Sequence, residues 1–412
     1  MKILKITSIS IVSLIMLLLI LLLSLIRPDI PVEKLMDDYT DENSLFLTID
    51  GMQVHVKDEG DGPTLLFLHG MFASLHTWDP WAEAFLDQYR VVRVDLPGFG
   101  ITGPHPQGDY SLRASMYLLE SIRENLGIEQ WSMIGNSMGG GLALSYAQLY
   151  PEHTENVVLF NGGRLLPAAS ETEPTSKPAP DTEHEQEPAP KPTIDTEHEQ
   201  EPAPKPALGT EPDSNTSTAT ATETSNQPDN VSGERQSLVL RALASPSLRK
   251  ALSVLTPKFI IERALKEVYG NPDRLQPETV TRYYKLLRRE GNRQAYLSRR
   301  EMRPRRSGNL PDLPELTNPS VLPELPILPE PTSLNDSKVP VLILWGRLDS
   351  WIPVRVGYRL HEAIDHSRLI IYEDLGHVPM EEDPERTITD VKEFLMCKDS
   401  VPANSVPTNS SR

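Results

Sequence analysis

Short apolar runs alternate with longer amphipathic stretches along most of this chain. The short runs are typical of buried strands, and the longer stretches repeat their apolar positions with a helical period. The predicted strands lie at 45–49, 52–56, 64–68, 91–94, 131–134, 157–160, 341–345 and 368–372, and the predicted helices at 74–89, 111–126, 142–150 and 385–397. Because strands alternate with helices, we predict an α/β fold with a mostly parallel sheet and helices on both faces.

Local signals support three of these elements. Asp50-Gly51 lies between the first two strands and predicts a β-hairpin. Ser111 has the residue type and position of a helix N-cap. Three large aromatic residues share one face of the helix at 74–89, and we expect them in the core rather than in a binding site: Trp78, Trp81 and Phe85.

Three stretches interrupt or end this pattern. Residues 170–233 are acidic and rich in Pro and Thr, and the sequence at 181–192 recurs at 195–206. This insert has no apolar set from which to build a core, so we predict that it is disordered. Residues 307–338 are rich in proline, which predicts an extended connector. Residues 398–412 are predicted to be a disordered tail.

The amino-terminal part, residues 1–30, predicts a membrane anchor. Residues 6–26 carry no charge, and as a helix they would span about 31 Å, enough for a bilayer's hydrocarbon core. A cleaved secretory signal is the alternative, but residues 24–28 offer no small-residue cleavage site. Lys2 and Lys5 precede the apolar stretch and favour a cytoplasmic amino terminus. We therefore expect a single-pass anchor and an extracytoplasmic enzyme, periplasmic if the source is bacterial.

The candidate nucleophile is Ser137, within Gly135-Asn136-Ser137-Met138-Gly139. This G-x-S-x-G motif stands between a predicted strand and a predicted helix, as a nucleophile elbow requires. A serine at the apex of such a tight turn projects its hydroxyl, and glycines beside it let strand and helix approach closely. The motif alone also fits an ordinary serine in a glycine-rich turn. The assignment therefore depends on whether the chain also offers a base, an acid and a second oxyanion donor.

The candidate partners are Asp349 and His377, each in a loop that follows a late strand. The order Ser137, Asp349, His377 is one of the chain orders known for catalytic triads. In such a triad the histidine takes the serine proton and later gives it to the leaving group, while the aspartate orients the histidine.

Other acids and histidines fit these roles less well. Asp374 is nearer to the histidine in sequence, but we expect it to end the strand. The strand at 157–160 leads into Asn161, which offers no carboxylate. The remaining histidines considered lie in the acidic repeat or on or near a predicted helix: His184, His198, His361 and His366.

The loop after an early strand offers a second oxyanion donor. His69-Gly70-Met71 follows the strand at 64–68. We expect the backbone N–H groups of Met71 and Met138 to hold a tetrahedral oxyanion. His69 is expected to brace this loop through hydrogen bonds rather than to act as the base.

Five pieces together carry a family resemblance: His69-Gly70-Met71, Asp95-Leu96-Pro97-Gly98-Phe99-Gly100, the elbow, Trp345-Gly346-Arg347-Leu348-Asp349 and Gly376-His377. Because these pieces occur in this order, the chain resembles the α/β-hydrolases, and most closely the capped esterases, lipases and carbon–carbon bond hydrolases. The resemblance implies an eight-stranded, mostly parallel sheet formed by residues 44–169 and 339–397. Related dehalogenases and epoxide hydrolases carry an aspartate at the elbow, and Ser137 argues against both.

The resemblance also implies a cap at residues 234–306, a basic segment with amphipathic helical patterns. A cap of this kind covers the serine, excludes water and shapes the acyl pocket. Its basic residues suggest docking on anionic headgroups, at about 1 kcal/mol per Lys or Arg near the surface. The alternatives are a solvated helix face or pairing with the acidic insert, and these we favour slightly.

The sequence therefore predicts a membrane-anchored serine hydrolase that cleaves carboxylic esters, including lipid esters, through an acyl-enzyme. A carbon–carbon bond hydrolase with the same triad is the alternative within enzymes. A non-catalytic, anchored binding protein is the alternative outside them. We expect no metal and no organic cofactor. The formal charge of −18 and the lack of a recognition motif argue against nucleic acid as a partner. The single Cys397 excludes an internal disulfide.

Overall fold

A computed structural model describes Met16 and residues 26–167, 256–301 and 325–396. Its centre is an eight-stranded sheet with the strand order β1-β2-β4-β3-β5-β6-β7-β8. The strands are β1 (Ser44–Ile49), β2 (Met52–Glu59), β3 (Thr64–Leu68), β4 (Arg90–Val94), β5 (Trp131–Asn136), β6 (Thr154–Phe160), β7 (Val341–Gly346) and β8 (Ser367–Tyr372). The β1–β2 and β2–β4 pairs are antiparallel and all other pairs are parallel. The predicted fold class is confirmed.

Helices cover both faces of the sheet. In chain order, the helices of the described residues are α1 (Glu33–Tyr39), α2 (Asp79–Phe85), α3 (Leu112–Asn125), α4 (Met138–Leu149), α5 (Lys258–Val268), α6 (Pro277–Leu287), α7 (Asn292–Glu301), α8 (Leu334–Ser337), α9 (Arg355–Ala363), α10 (Pro379–Glu382) and α11 (Pro384–Met396). Strand β3 shows why both faces are apolar. Leu66 and Leu68 belong to one buried cluster, whereas Leu65 and Phe67 belong to the other, because successive strand residues point to opposite faces.

The local sequence signals mostly hold. The predicted hairpin is confirmed, since Ile49 pairs with Met52 across the turn. Ser111 caps α3 by accepting a hydrogen bond from the Ala114 N–H at 3.1 Å. The helix predicted at 74–89 is shorter: a 3-10 turn, Leu75–Trp78, leads into α2. The proline in the first turn of α2 has no N–H, so it cannot make the backbone hydrogen bond that would join the 3-10 turn and α2 into one regular helix. The three aromatic residues of this segment are buried.

Several predictions fall on residues outside the described ranges. These are the acidic insert, residues 234–255 and 302–306 of the cap, residues 307–324 of the connector, the tail, and the anchor segment except for Met16 and residues 26–30. Within the described ranges, no helix is both long enough and apolar enough to cross a membrane. The connector predicted to be extended contains one helical turn, α8, because Leu334 packs into the core there.

Helices α5, α6 and α7 follow β6 in the chain and precede β7. Their cations pair with acids of the neighbouring structure. Arg282 bonds Glu381 at 2.9 Å, and Lys285 bonds Asp38 at 2.6 Å. The remaining ion pairs of this kind join Arg274 to Asp374 and Asp383, and Arg293 to Asp29. In the described part of the cap, these basic residues therefore pair with acids of the core and of residues 26–39, a partner that the sequence did not suggest.

Candidate active site

Ser137 occupies a strained turn between β5 and α4. Its backbone angles are φ 51° and ψ −109°, a positive φ that non-glycine residues rarely adopt. Its N–H donates to the Phe160 carbonyl at 2.8 Å, which holds the turn in place. A side chain at Gly139 would come within 2.8 Å of the His69 carbonyl oxygen, so only glycine fits there. The local geometry is that of a nucleophile elbow.

Asp349 and His377 meet beside this turn. His377 Nδ1 lies 2.7 Å from Asp349 Oδ2. The same oxygen accepts from Asn161 Nδ2 at 2.8 Å, and Oδ1 accepts from the backbone N–H groups of Trp351 and Ile352 at 2.7 and 2.9 Å. Four donors therefore fix the carboxylate. With its proton on Nδ1, the imidazole leaves Nε2 to accept a proton, as a general base requires.

The backbone of His377 is held on both sides. Its N–H donates to the Val268 carbonyl at 2.6 Å, and its carbonyl accepts from Asn136 Nδ2 at 3.0 Å. Asn136 is the residue before Ser137, so one side chain links the elbow to the histidine loop. The Trp351 ring lies 5.5 Å from the imidazole, centroid to centroid. Ser137 and His377 line the same cavity.

The rival acid lies elsewhere. Asp374 pairs with Arg386 at 2.8 Å and with Arg274 at 3.4 Å. The structure therefore brings Asp349, and not Asp374, to His377. The catalytic assignment of these residues remains a prediction that the geometry supports.

The candidate oxyanion loop is braced by a buried histidine. His69 Nε2 accepts from the Leu96 N–H at 3.0 Å, so Nδ1 carries the proton and donates to the Gly70 carbonyl at 2.7 Å. Burial lowers the pKa of His69, which favours this neutral form. Met71 lines the cavity beside Ser137, and Met138 is the first residue of α4. The roles of their N–H groups remain predictions.

The cavity in front of Ser137 has a volume of about 140 Å³, measured as the space open to the centres of water-sized molecules. Helices α5, α6 and α7 form much of its wall. Its lining is mostly apolar: Met71, Phe72, Ala73, Ile260, Ile261, Ala264, Leu265, Val268, Tyr283, Leu287, Tyr296, Leu297, Trp351 and Val378. Among the described lining residues, Arg293 is the only Lys or Arg. It is bonded to Asp29 at 2.6 Å and to Thr256 Oγ1 at 3.1 Å.

The sequence did not reveal four residues that support this site. Asn161, Asn136 and Trp351 contact the pair as described above. Glu382 accepts hydrogen bonds from the N–H groups of Gly376, Gly270 and Asn271 at 2.7, 2.8 and 3.2 Å. Burial raises the pKa of Glu382 to about 7, although these three donors oppose the shift. Asn136 occupies a variable position of the elbow motif and the other three lie outside it, so only the folded chain shows the partners of these four side chains.

A hydrogen-bonded Ser–His–Asp array that does not include Ser137 lies in another part of the sheet. His55 Nδ1 is 2.8 Å from Asp95 Oδ2, and His55 Nε2 is 2.9 Å from Ser44 Oγ. Asp95 also accepts from the N–H groups of Leu75 and Ile101 at 2.8 and 2.9 Å. Burial opposes ionisation of Asp95, but the His55 hydrogen bond and nearby histidines outweigh it and hold the pKa well below its usual range. The sequence did not predict this array.

Comparison with known proteins places the fold. A 2-hydroxy-6-oxononadienedioate/2-hydroxy-6-oxononatrienedioate hydrolase of a Pseudomonas species is 24% identical over 79% of this chain and 85% of its own. An uncharacterized protein of Mycobacterium tuberculosis is 29% identical, but the match covers 29% of this chain and about a third of that protein, 34%. The crystal structure of a membrane phospholipase A superposes with a TM-score of 0.54 at 18% identity, covering 96% of this chain and 98% of the other.

A family model also matches this chain. This family model, described as the alpha/beta hydrolase fold, matches residues 63–384, which include the elbow, the aspartate and the histidine. That range covers most of the chain and both parts of the sheet. The geometry of Ser137, the sheet order and this match agree, and the protein belongs to the α/β-hydrolase family.

Proposed function

We propose that this protein is a serine hydrolase that cleaves carboxylic esters with apolar acyl chains. The observation that carries the proposal is the mostly apolar cavity directly in front of Ser137. An acyl chain would be buried among α5, α6 and α7, at about 25 cal/mol per Å² of apolar area removed from water. One structural neighbour is named as a membrane phospholipase A, and this name is consistent with such a substrate.

The proposed reaction uses the predicted triad. Ser137 Oγ attacks the ester carbonyl while His377 Nε2 takes its proton. The Met71 and Met138 N–H groups bind the oxyanion of the tetrahedral intermediate. The intermediate collapses to an acyl-enzyme, and the leaving alcohol takes the proton from His377. Water then attacks the acyl-enzyme by the same steps, which releases the carboxylic acid and restores Ser137.

We also propose that residues 6–26 anchor the enzyme as a single membrane pass, with the catalytic domain extracytoplasmic. The support is the uncharged apolar stretch and the lysines before it. Protease protection in intact and opened cells tests this topology. If protease digests the catalytic domain only after the membrane that bounds the cytoplasm has been permeabilised, the domain lies in the cytoplasm and the proposal is contradicted.

Hydrolysis of p-nitrophenyl esters of graded chain length by the full-length protein in detergent tests the ester proposal. We expect turnover that rises with acyl length until the cavity is filled. Ser137→Ala is the matched control and should remove turnover. A folded wild type that cleaves none of these esters would contradict the proposal.

A carbon–carbon bond hydrolase is the second candidate, because the Pseudomonas relative is named for a dienedioate substrate. A dicarboxylate needs cationic partners in its pocket. The one Lys or Arg among the described lining residues, Arg293, is already paired with Asp29. The ester proposal is therefore favoured. The test is to add that dicarboxylate to the full-length protein and to follow its dienol absorbance. If the absorbance is lost faster than esters are hydrolysed, the carbon–carbon bond hydrolase becomes the favoured candidate.

Docking of the cap on anionic lipid remains a separate proposal. Binding of the full-length protein, in nanodiscs, to anionic vesicles tests it at low salt, with neutral vesicles as the control. We expect binding to anionic vesicles that weakens as salt is added. Equal binding to both kinds of vesicle would contradict it.

A further inference from the structure

The end of cap helix α5 contacts the histidine loop through a backbone hydrogen bond. The Val268 carbonyl accepts the His377 N–H at 2.6 Å. A side chain at Gly270 would lie 2.6 Å from the Leu375 carbonyl carbon and 2.7 Å from the Gly376 nitrogen. Such distances exclude a Cβ, so the two segments are packed as closely as peptide chains allow.

One carboxylate joins the same two segments. Glu382 Oε1 accepts from the Gly376 N–H at 2.7 Å, next to the histidine. Its Oε2 accepts from the N–H groups of Gly270 and Asn271 at 2.8 and 3.2 Å. The side chain is buried. Glu382 therefore fixes the spacing between the cap and the histidine loop from its place in α10.

The neighbouring acid has a different set of partners. Glu381 accepts from Arg282 at 2.9 Å, from the Tyr283 hydroxyl at 3.2 Å and from the Tyr269 hydroxyl at 3.3 Å. Among the described residues, each side-chain partner of Glu381 belongs to the cap. The two adjacent glutamates thus differ in one respect, because only Glu382 reaches the histidine loop.

Helix α5 also forms part of the cavity wall, through Leu265 and Val268. A substrate that contacts these side chains presses on the helix whose last turn holds the His377 N–H. Any displacement of α5 therefore reaches the histidine through one hydrogen bond and the Glu382 carboxylate.

We propose that Glu382 is a positioning residue that keeps the histidine loop and the end of α5 in fixed register, so that occupation of the cavity and placement of His377 are coupled. The proposal rests on the proposed role of His377 in ester cleavage. Glu382 is not among the residues that line the cavity, and it acts through its neighbours.

Steady-state kinetics of full-length Glu382→Gln and Glu381→Gln test this coupling. Glutamine keeps the size of the side chain but turns one acceptor into an NH₂ group, which faces N–H donors. For Glu382→Gln we expect kcat to fall about tenfold to a hundredfold, the value of one hydrogen bond to a charged group, with little change in KM. For Glu381→Gln we expect the larger change in KM.

Amide hydrogen exchange gives a readout that needs no turnover. Glu382→Gln should speed exchange both at 268–271 and at 375–377, whereas Glu381→Gln should speed it only in the cap. This comparison stands even if the wild type cleaves no ester, so failure of the proposed function and failure of the coupling are distinguishable. If the amides at 375–377 exchange in Glu382→Gln as slowly as in the wild type, and kcat is also that of the wild type, the proposal is overturned.

Gly270→Ala is a second variant for the case that Glu382→Gln does not fold. The added methyl group would press on the Leu375 and Gly376 backbone without changing any charge. We expect the same fall in kcat and the same faster exchange at 375–377. A folded Gly270→Ala protein with wild-type kcat would count against the coupling.

Discussion

The protein contains two buried His–Asp pairs with nearly the same hydrogen-bond length, His377–Asp349 at 2.7 Å and His55–Asp95 at 2.8 Å. In both, histidine Nδ1 lies within 2.8 Å of a buried aspartate, and that aspartate accepts two backbone N–H groups. Ser44 lies 2.9 Å from its histidine. The two pairs differ in the backbone and the space around the serine considered with each of them.

Ser137 stands in a strained turn, in front of a mostly apolar cavity and at the start of α4. Ser44 opens β1, an edge strand, and its Oγ accepts the Asp41 N–H at 3.1 Å. A catalytic serine needs a projecting hydroxyl, room for a substrate and donors for an oxyanion. The hydrogen-bonded pair is therefore common to both places, and the turn and the cavity are the features that support the proposed role of Ser137 rather than of Ser44.

The largest expected effect separates the two serines. Ser137→Ala should lower kcat for p-nitrophenyl esters by several orders of magnitude, up to about a millionfold by analogy with another serine triad. Ser44→Ala should leave kcat near the wild-type value, because Ser44 touches no reacting atom. Ester kinetics on both variants measures this. Equal turnover by Ser137→Ala and wild type would show that Ser137 is not the nucleophile.

Substitution of the two aspartates should have different effects, one on kcat and the other on stability. Asp349→Asn should lower kcat about ten-thousandfold, because the histidine loses its orienting acceptor. Asp95→Asn should cost about 3 kcal/mol of stability, or roughly 6–12 °C in Tm, because a buried amide NH₂ then faces N–H donors. Thermal melts beside kinetics distinguish them. A large kcat loss in folded Asp95→Asn would remove the contrast.

Supporting residues extend the comparison at smaller scale. Asn161→Gly keeps the positive φ of 49° but removes the donor to Asp349, so kcat should fall about tenfold. Thr102 accepts the His55 N–H at 2.9 Å in the other array. Thr102→Val should lower Tm by about 2–4 °C and leave kcat unchanged. Unchanged kcat in Asn161→Gly would show that three donors suffice for Asp349.

The smallest expected effects are in the pH dependence of stability. Folding lowers the pKa of Asp95, so its contribution is present above its usual value of 3.8 and is lost as the pH falls. Folding raises the pKa of Glu382 from 4.5 to about 7, so the folded state binds more protons and that contribution is lost as the pH rises through this window.

Melting curves between about pH 3 and 8 measure both carboxylates. Asp95→Asn should flatten the acid side of the stability profile, and Glu382→Gln should flatten the side between 4.5 and about 7. Profiles that stay parallel to the wild type in both variants would mean that other groups set the pH dependence.

Much of the fold could be predicted because its signals are local. The apolar runs, Asp50-Gly51 and the elbow motif depend on neighbouring residues alone, and the structure confirms the sheet that they imply. The helix at 74–89 was predicted too long, because apolar periodicity outweighed the proline at the start of α2.

The rest depends on residues far apart in sequence. The His55–Asp95 pair forms because β2 lies beside β4 rather than beside β3, a strand order that no local pattern encodes. Likewise, Glu382 meets Gly270 across more than a hundred residues. In each case the polar side chain could be recognised, but its partner could not.

The sheet order has a consequence for how the protein is made. Strand β6 pairs with β7, yet Phe160 and Val341 are separated by the long insertion and the cap. At about 5–20 residues per second, a ribosome needs roughly ten to forty seconds to pass from one strand to the other. During that time the apolar edge of β6 has no neighbour and invites aggregation or a chaperone. Of the three predicted triad residues His377 is synthesised last, so the predicted triad cannot assemble before the chain has reached that residue.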